Sequence, residues 1–295
     1  MIITDKVICK QMKAFAKVNI SLDIISKMDD GYHYLKTIMQ SVSLCDDITV
    51  RCEKGEGITV DTRSSYIPGD ERNIAVKAAH VFFDYANIRD YKTHIEIDKH
   101  IPVCAGLGGG SADAACVLRM LNVMFDTRFE AEILEKLGRE IGADVPFCIR
   151  GGTKLAQGRG DILQSLHPLK DCQIVICKPP FSCSTPELFA RVNCGKIKKR
   201  PDTDGLCKAL EDGDLKSVAR RMYNVFEDII PRKNTDIDDI KAALLDSGAM
   251  GAVMTGSGPS VIGLFDDRAH AKCAYDTLLK SYEDTFLTET IKEYL

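Results

Sequence analysis

The sequence predicts a mixed α/β protein of about two domains. Three observations carry that expectation. The chain is 295 residues long, segments of apolar/polar alternation are interleaved with segments of helical periodicity, and a glycine-rich stretch at 106–110 joins a strand pattern to a helix pattern. The organisation changes near 151–160, which divides the chain into an N-terminal part, 1–155, and a C-terminal part, 156–295.

Taken in order, residues 14–25 alternate as a strand, with Lys17, Asn19, Ser21 and Asp23 sharing one polar face. That face either lines a cleft or meets solvent. A turn, Asp29-Asp30-Gly31-Tyr32-His33, precedes an apolar strand at 38–50. Tyr32 and His33 form either a flat face and polar edge for a planar ring or an ordinary hairpin aromatic beside a surface imidazole. A short strand at 57–62 follows, then a helix capped by Asn73 with Ala75, Ala78, Ala79, Phe82 and Phe83 on its buried side. His94-Ile95-Glu96-Ile97-Asp98 alternates as a strand and runs through Lys99 and Pro102 into the glycines.

Val103, Gly106, Leu107, Gly108, Gly109, Gly110 and Ser111 make up that junction, with Ser111 as the expected N-cap. Ala114, Val117, Leu118, Leu121 and Phe125 fall on one helical face behind it. Glycines at a helix N-terminus leave unpaired N–H groups and allow close approach, which suits phosphate. The stretch lacks the Gly-Lys-Ser/Thr ending of a Walker A loop. It also lacks the third Gly/Ala of a dinucleotide fingerprint, because Ser111 stands there. A flexible loop or C-cap is the alternative, but C-cap glycines follow a helix and these precede one.

Beyond it, Ile133, Leu134, Leu137 and Ile141 mark a helix ended by Gly142, and Asp144 is either an N-cap or a functional carboxylate. The second half reads as a strand at 172–178, helices at 186–193, 214–229 and 235–247, and strands at 252–255 and 261–265. These last two flank a turn, Gly256-Ser257-Gly258, and a helix at 267–281 and a strand at 285–288 close the chain. The basic run at 196–200 reads as a solvated loop.

Composition bounds the function. A hydrophobic share of 45%, a charged share of 28% and a net charge of -4 describe an ordinary globular chain without the basic excess of a nucleic-acid binder. Twelve cysteines are scattered singly, with no Cys-x-x-Cys pair, so they read as reduced thiols packed like small hydrophobes. Residues 1–6 lack an apolar signal core and no apolar run nears membrane-spanning length, so a cytoplasmic protein without a membrane partner is expected.

In order and spacing, Lys17-Val18-Asn19, the 106–111 loop and Gly256-Ser257-Gly258 resemble the three motifs of the GHMP kinases. The resemblance spans nearly the whole chain. Asp30-Gly31-Tyr32-His33 and Gly142-Ala143-Asp144-Val145-Pro146-Phe147 look like the branch acting on a cytidine diphosphate-linked methylerythritol. The resemblance implies a two-domain fold with a ribosomal-S5-like N-terminal, ATP-binding domain, and a cleft between the domains where ATP and the second substrate meet. It further implies phosphorylation of the 2-hydroxyl of 4-diphosphocytidyl-2-C-methyl-D-erythritol with ATP and Mg2+, the metal ligands being left unnamed.

By match to the motifs, Asp144 is the general base and Lys17 its charged partner, and Asn19 positions the acceptor end. Tyr32 and His33 hold the cytosine, with Phe189 as the opposing ring and Phe181 as the fallback. Pro102, Val103 and 106–111 surround the nucleotide, Asn73 lies near the adenine and Lys99 near the phosphates. Gly256, Ser257 and Gly258 belong to the substrate side. Two alternatives remain at this level: a homoserine- or mevalonate-type kinase, and a non-catalytic nucleotide-binding regulator on the same fold.

Overall fold

The computed structural model describes residues 7–63, 66–231, 235–292 and 294. The reading of residues 1–6 therefore lies outside the described residues. In chain order the elements are β1 (Ile8–Lys27), β2 (His33–Lys54), β3 (Ile58–Asp61), α1 (Ile74–Ala86), β4 (Tyr91–Asp98), α2 (Gly109–Met124), α3 (Ala131–Ile141), α4 (Val145–Arg150), β5 (Thr153–Gly158) and β6 (Ile162–Ser165). They continue as β7 (Gln173–Cys177), α5 (Thr185–Ala190), α6 (Thr203–Glu211), α7 (Leu215–Arg221), β8 (Tyr223–Asn224), α8 (Asp236–Asp246), β9 (Gly251–Met254), β10 (Val261–Phe265), α9 (Arg268–Leu278) and β11 (Thr285–Glu289).

The elements divide into two compact units. One comprises Met1–Ala16, Cys45–Val103 and Gly108–Arg150, the other Lys17–Leu44, Cys104–Leu107 and Gly151–Leu295. Each of the long strands β1 and β2 begins in one unit and ends in the other.

In the first unit β4 pairs antiparallel with the end of β2, from Asp47 opposite Asp98 to Lys54 opposite Tyr91, and β3 adds in parallel to β4. Helices α1 and α2 pack on each other, as do α3 and α4. The predicted apolar stripes are the ones buried: Ala75, Ala78, Ala79, Phe82 and Phe83 on α1, and Ala114, Val117, Leu118 and Leu121 on α2. Phe125 makes T-shaped contacts with Phe83 and Tyr91 at centroid distances of 5.5 and 4.8 Å. Asn73 caps α1 as expected, its side chain accepting from the Ala75 N–H.

One local expectation is corrected here. The N-cap of α2 is Gly108, at φ 68°, and Ser111 lies within the first turn. The chain enters the helix through a left-handed residue, which costs a glycine nothing. The ladder starts with Ala112 N–H donating to the Gly108 carbonyl at 2.9 Å, so glycine geometry outranks the serine side chain.

In the second unit β11, β7, β10 and β9 form, in that order, an antiparallel sheet. Leu22, Val175, Phe226, Leu244 and Phe265 belong to its apolar core. The first part of β2 pairs antiparallel with β5, which pairs with β6. β1 meets β8 in parallel, Ser21 opposite Tyr223.

The helix expected over 214–229 is instead α7, β8 and a 3-10 turn, Val225–Asp228. Asn224 breaks it: its side-chain amide donates to the Met254 and Gly256 carbonyls at 2.7 and 2.8 Å, partners that local periodicity does not contain. The polar face of β1 is settled as well. Lys17, Asn19, Ser21 and Asp23 are all buried, so the face is not a solvated one.

Candidate functional site

In the second unit the two glycine signals meet. Gly106 has φ 77°, and a Cβ there would run into the Thr255 carbonyl and come 3.1 Å from the Gly258 nitrogen. A Cβ on Gly256 would come 2.7 Å from the Gly106 carbonyl oxygen. Close backbone approach is thus why both stretches carry glycine, and the 255–258 turn is more than a hairpin link between β9 and β10.

Lys17 lies beside this contact. Its backbone N–H donates to the Leu107 carbonyl at 3.0 Å, and its ammonium to the Asn19 Oδ1 at 2.8 Å and the Gly106 carbonyl at 3.1 Å. Asn19 donates in turn through Nδ2 to Thr37 at 2.8 Å, while its backbone N–H donates to the Thr255 hydroxyl at 2.7 Å. The i, i+2 spacing on β1 places both side chains on one face. Thr37 and Thr255 hold the asparagine amide in one orientation. Ser257 sits at the outer end of the turn, its hydroxyl 2.7 Å from that of Thr185.

The aromatic part of this unit is ordered differently from a simple two-ring clamp. His33 is buried and stacks on Phe189, with centroids 5.2 Å apart and planes 29° apart. Phe189 is braced edge-on by Phe226 at 5.0 Å. Burial holds the His33 imidazole below its ordinary value of 6.5, with a smaller push from Lys27, so the ring is neutral at neutral pH. Tyr32 is 57% exposed and carries the Arg159 guanidinium over its ring at 4.0 Å. Asp30 ties the pair together, accepting from the Tyr32 N–H at 3.0 Å and from Arg159. Phe181 packs partly buried against the same core.

In the first unit the N–H groups of Gly109, Gly110 and Ser111 form the open first turn of α2. They add the partial positive charge of the helix terminus. A Cβ on Gly142 would lie 4.0 Å from the Ser111 hydroxyl, so the first turn of α2 and the 142–144 turn are neighbours. Asp144 immediately precedes α4, is half-buried, and its carbonyl accepts from the Cys148 N–H at 3.1 Å. Pro102 is half-buried and Val103 exposed at the entry to the loop.

Lys99 and Asn73 are tied to the protein itself. Lys99 donates to Asp46 and, at 2.9 Å, to Asp113, while Asn73 Nδ2 donates to the Pro68 carbonyl at 2.9 Å.

Sequence reasoning missed Thr37, Thr255, Arg159, Asp46 and Asp113. A carboxylate inside the apolar strand pattern at 38–50 was the one available cue for Asp46. Arg159 sits in a glycine-flanked turn, where an arginine looks like any solvated residue.

The GHMP kinases N terminal domain family matches residues 73–152, and the GHMP kinases C terminal family matches residues 206–284. A protein of Clostridium botulinum (strain Kyoto / Type A2) named 4-diphosphocytidyl-2-C-methyl-D-erythritol kinase is 45% identical over 279 residues, covering 95% of this chain and 99% of its own. A protein of the same name from Clostridium perfringens is 43% identical over 283 residues, covering 95% and 98%. The crystal structure of a 4-(cytidine 5'-diphospho)-2C-methyl-D-erythritol kinase superposes with a TM-score of 0.81 at 28% identity, covering 95% of this chain and 99% of that one. The two matched segments and the relatives' near-complete coverage assign this α/β chain to the GHMP kinase family, as an ATP-dependent kinase.

Proposed function

We propose that the protein phosphorylates the 2-hydroxyl of 4-diphosphocytidyl-2-C-methyl-D-erythritol, in the non-mevalonate route to isoprenoid precursors, as a cytoplasmic enzyme. The observation that carries this reading is the neutral, buried His33 stacked on Phe189 in a chain whose relatives bear that kinase name. A neutral imidazole offers one donor and one acceptor, and an aromatic face accepts a pyrimidine. Homoserine and mevalonate have no ring to use such a site.

In this reading the segment 1–155 serves ATP and 156–295 completes the protein, with the first turn of α2 receiving the triphosphate. The acceptor is a tertiary alcohol, protonated at neutral pH and a poor nucleophile. Asp144 accepts its proton as the oxygen attacks the γ-phosphorus, so the O–H bond breaks while the O–P bond forms and ADP leaves. Lys17 supplies positive charge to the transferring group, and Asn19 orients the acceptor end.

Among the described residues no group of three or more His, Cys, Asp or Glu is placed to hold a metal. The donor set therefore suits an ion carried mainly on phosphate oxygens and water, and Mg2+ held so would neutralise phosphate charge.

An ATP-consumption assay with the cytidyl substrate, homoserine, mevalonate and galactose tests the proposal. Turnover with the cytidyl substrate is expected. Turnover with one of the others instead would replace this reading by the other-GHMP-kinase alternative, and turnover with none would favour the regulator.

A further inference from the structure

The first unit buries a cluster of three ionisable side chains whose reason is not evident from packing. Asp46 on β2 is fully buried, and its Oδ1 accepts from the N–H groups of His100 and Ile101 at 2.6 and 2.8 Å. That fixes the bend between β4 and the glycine loop. Its Oδ2 receives the Lys99 ammonium, which also donates to Asp113 Oδ2 on α2 at 2.9 Å. Asp113 is 3% exposed and its Oδ1 has no hydrogen-bond partner among the described residues.

The ammonium also explains a glycine. A Cβ on Gly109, the first residue of α2, would lie 2.8 Å from Lys99 Nζ and 3.0 Å from Ile101 Cγ2. Lys99 therefore touches the underside of the first turn.

We propose that Asp46, Lys99 and Asp113 are positioning residues that lock the bend at 99–101 to α2, and so fix the N–H groups that receive the nucleotide phosphates. This rests on the phosphate role given to α2 under Proposed function. Burial is an expensive way to gain stability from charges, since apolar groups of equal volume do as well or better. What directional, charge-assisted bonds add is a single arrangement of the elements they join. Burial raises Asp113 well above the usual carboxylate range, against the pull of Lys99 and with a further push from Asp46. Lys99 itself is lowered by burial but more than restored by Asp113 and Asp46. It stays charged, with that charge spent on the framework.

The test is ATP affinity by calorimetry, both KM values, kcat and the thermal midpoint for wild type, Asp113→Asn, Lys99→Met and the pair Lys99→Met/Asp46→Asn. A positioning role predicts that Asp113→Asn weakens ATP binding by about tenfold, with the KM of the cytidyl substrate and kcat at saturating ATP within about threefold. The pair Lys99→Met/Asp46→Asn, which removes one charge of each sign, should recover the thermal midpoint without recovering ATP affinity.

Tighter or unchanged ATP binding in Asp113→Asn beside loss in Lys99→Met would make Lys99 a direct phosphate contact and overturn the proposal. Loss of both affinities and kcat in step with the thermal midpoint would reduce the cluster to a structural one and overturn it too. A wild-type protein that binds no ATP would instead remove the reading beneath it.

Discussion

Lys17 is buried on β1, and Lys99, just beyond β4, has a side chain 10% exposed; the motif match put the first beside the base and the second near the phosphates, but it did not say what either holds. What each ties down separates them. Lys17 donates to Asn19 and to the Gly106 carbonyl of the glycine loop, groups that themselves belong to the candidate site. Lys99 donates to Asp46 and Asp113, which belong to the β2 and α2 framework. A buried cation is therefore read from its partners' neighbours as much as from its own burial. On that basis we propose Lys17 for chemistry and Lys99 for geometry.

The largest test of that division is on the chemical side. Asp144→Asn removes the proposed base while keeping its shape, and kcat is expected to fall by roughly two to four orders of magnitude with ATP binding intact. Turnover within a few-fold of wild type would leave the chemical side of the comparison without its centre.

Next in size is the backbone contact that joins the two glycine stretches. Gly106→Ala places a Cβ against the Thr255 carbonyl at a positive φ, and is expected to lower stability by about 1–3 kcal/mol. Gly109→Ala should act by a different route, pressing on the side chains of Lys99 and Ile101 rather than on backbone, and should weaken ATP binding more than it lowers the thermal midpoint. Denaturant melts and calorimetry on the two variants separate backbone strain from displaced positioning; indistinguishable variants would merge the two regions.

A third expectation concerns the aromatic site. His33→Ala should raise the KM of the cytidyl substrate by about tenfold with little change for ATP, and equal losses for both would remove the cytosine role. Acid provides an independent check. The folded state holds His33 below 6.5, so the unfolded chain takes up its proton first as pH falls. Stability should then drop as pH falls through the unfolded value and level off below the folded one. Thermal midpoints between pH 8 and 5 should show this slope in wild type and less of it in a His33→Gln variant.

The smallest effect is expected at Arg159. Its ion pair with Asp30 is solvent-exposed and screened, and its stack on Tyr32 is an exposed cation–π contact. Arg159→Gln should therefore raise the cytidyl KM only about two- to fivefold by loosening Tyr32.

Much of the fold was legible because local signals and tertiary outcome agree. Asn73 and Asp267 cap the helices they were expected to open, and the apolar stripes of α1 and α2 are the buried ones. What failed was decided at a distance. Asn224 leaves the helical pattern because carbonyls of residues 254 and 256 are waiting for its amide. The α6 helix, opened by Asp202 accepting from the Gly205 N–H, hid behind the basic loop. β5 and β6 are short strands among glycines that carry no alternation of useful length.

The site divides the same way. Chemistry-bearing types such as Lys17, Asp144 and His33 stand out by motif. Thr37, Thr255 and Asp113 do their work only through contacts many residues away in sequence.

The division of labour between the two lysines is tested most directly by rapid-quench single turnover at saturating ATP and cytidyl substrate. Lys17→Met would be compared with the charge-balanced pair Lys99→Met and Asp46→Asn. The account predicts that Lys17→Met lowers the rate of the chemical step by about a hundredfold or more, while the paired variant, once saturated with ATP, stays within about threefold of wild type. A chemical step lost in the paired variant and preserved in Lys17→Met would contradict it.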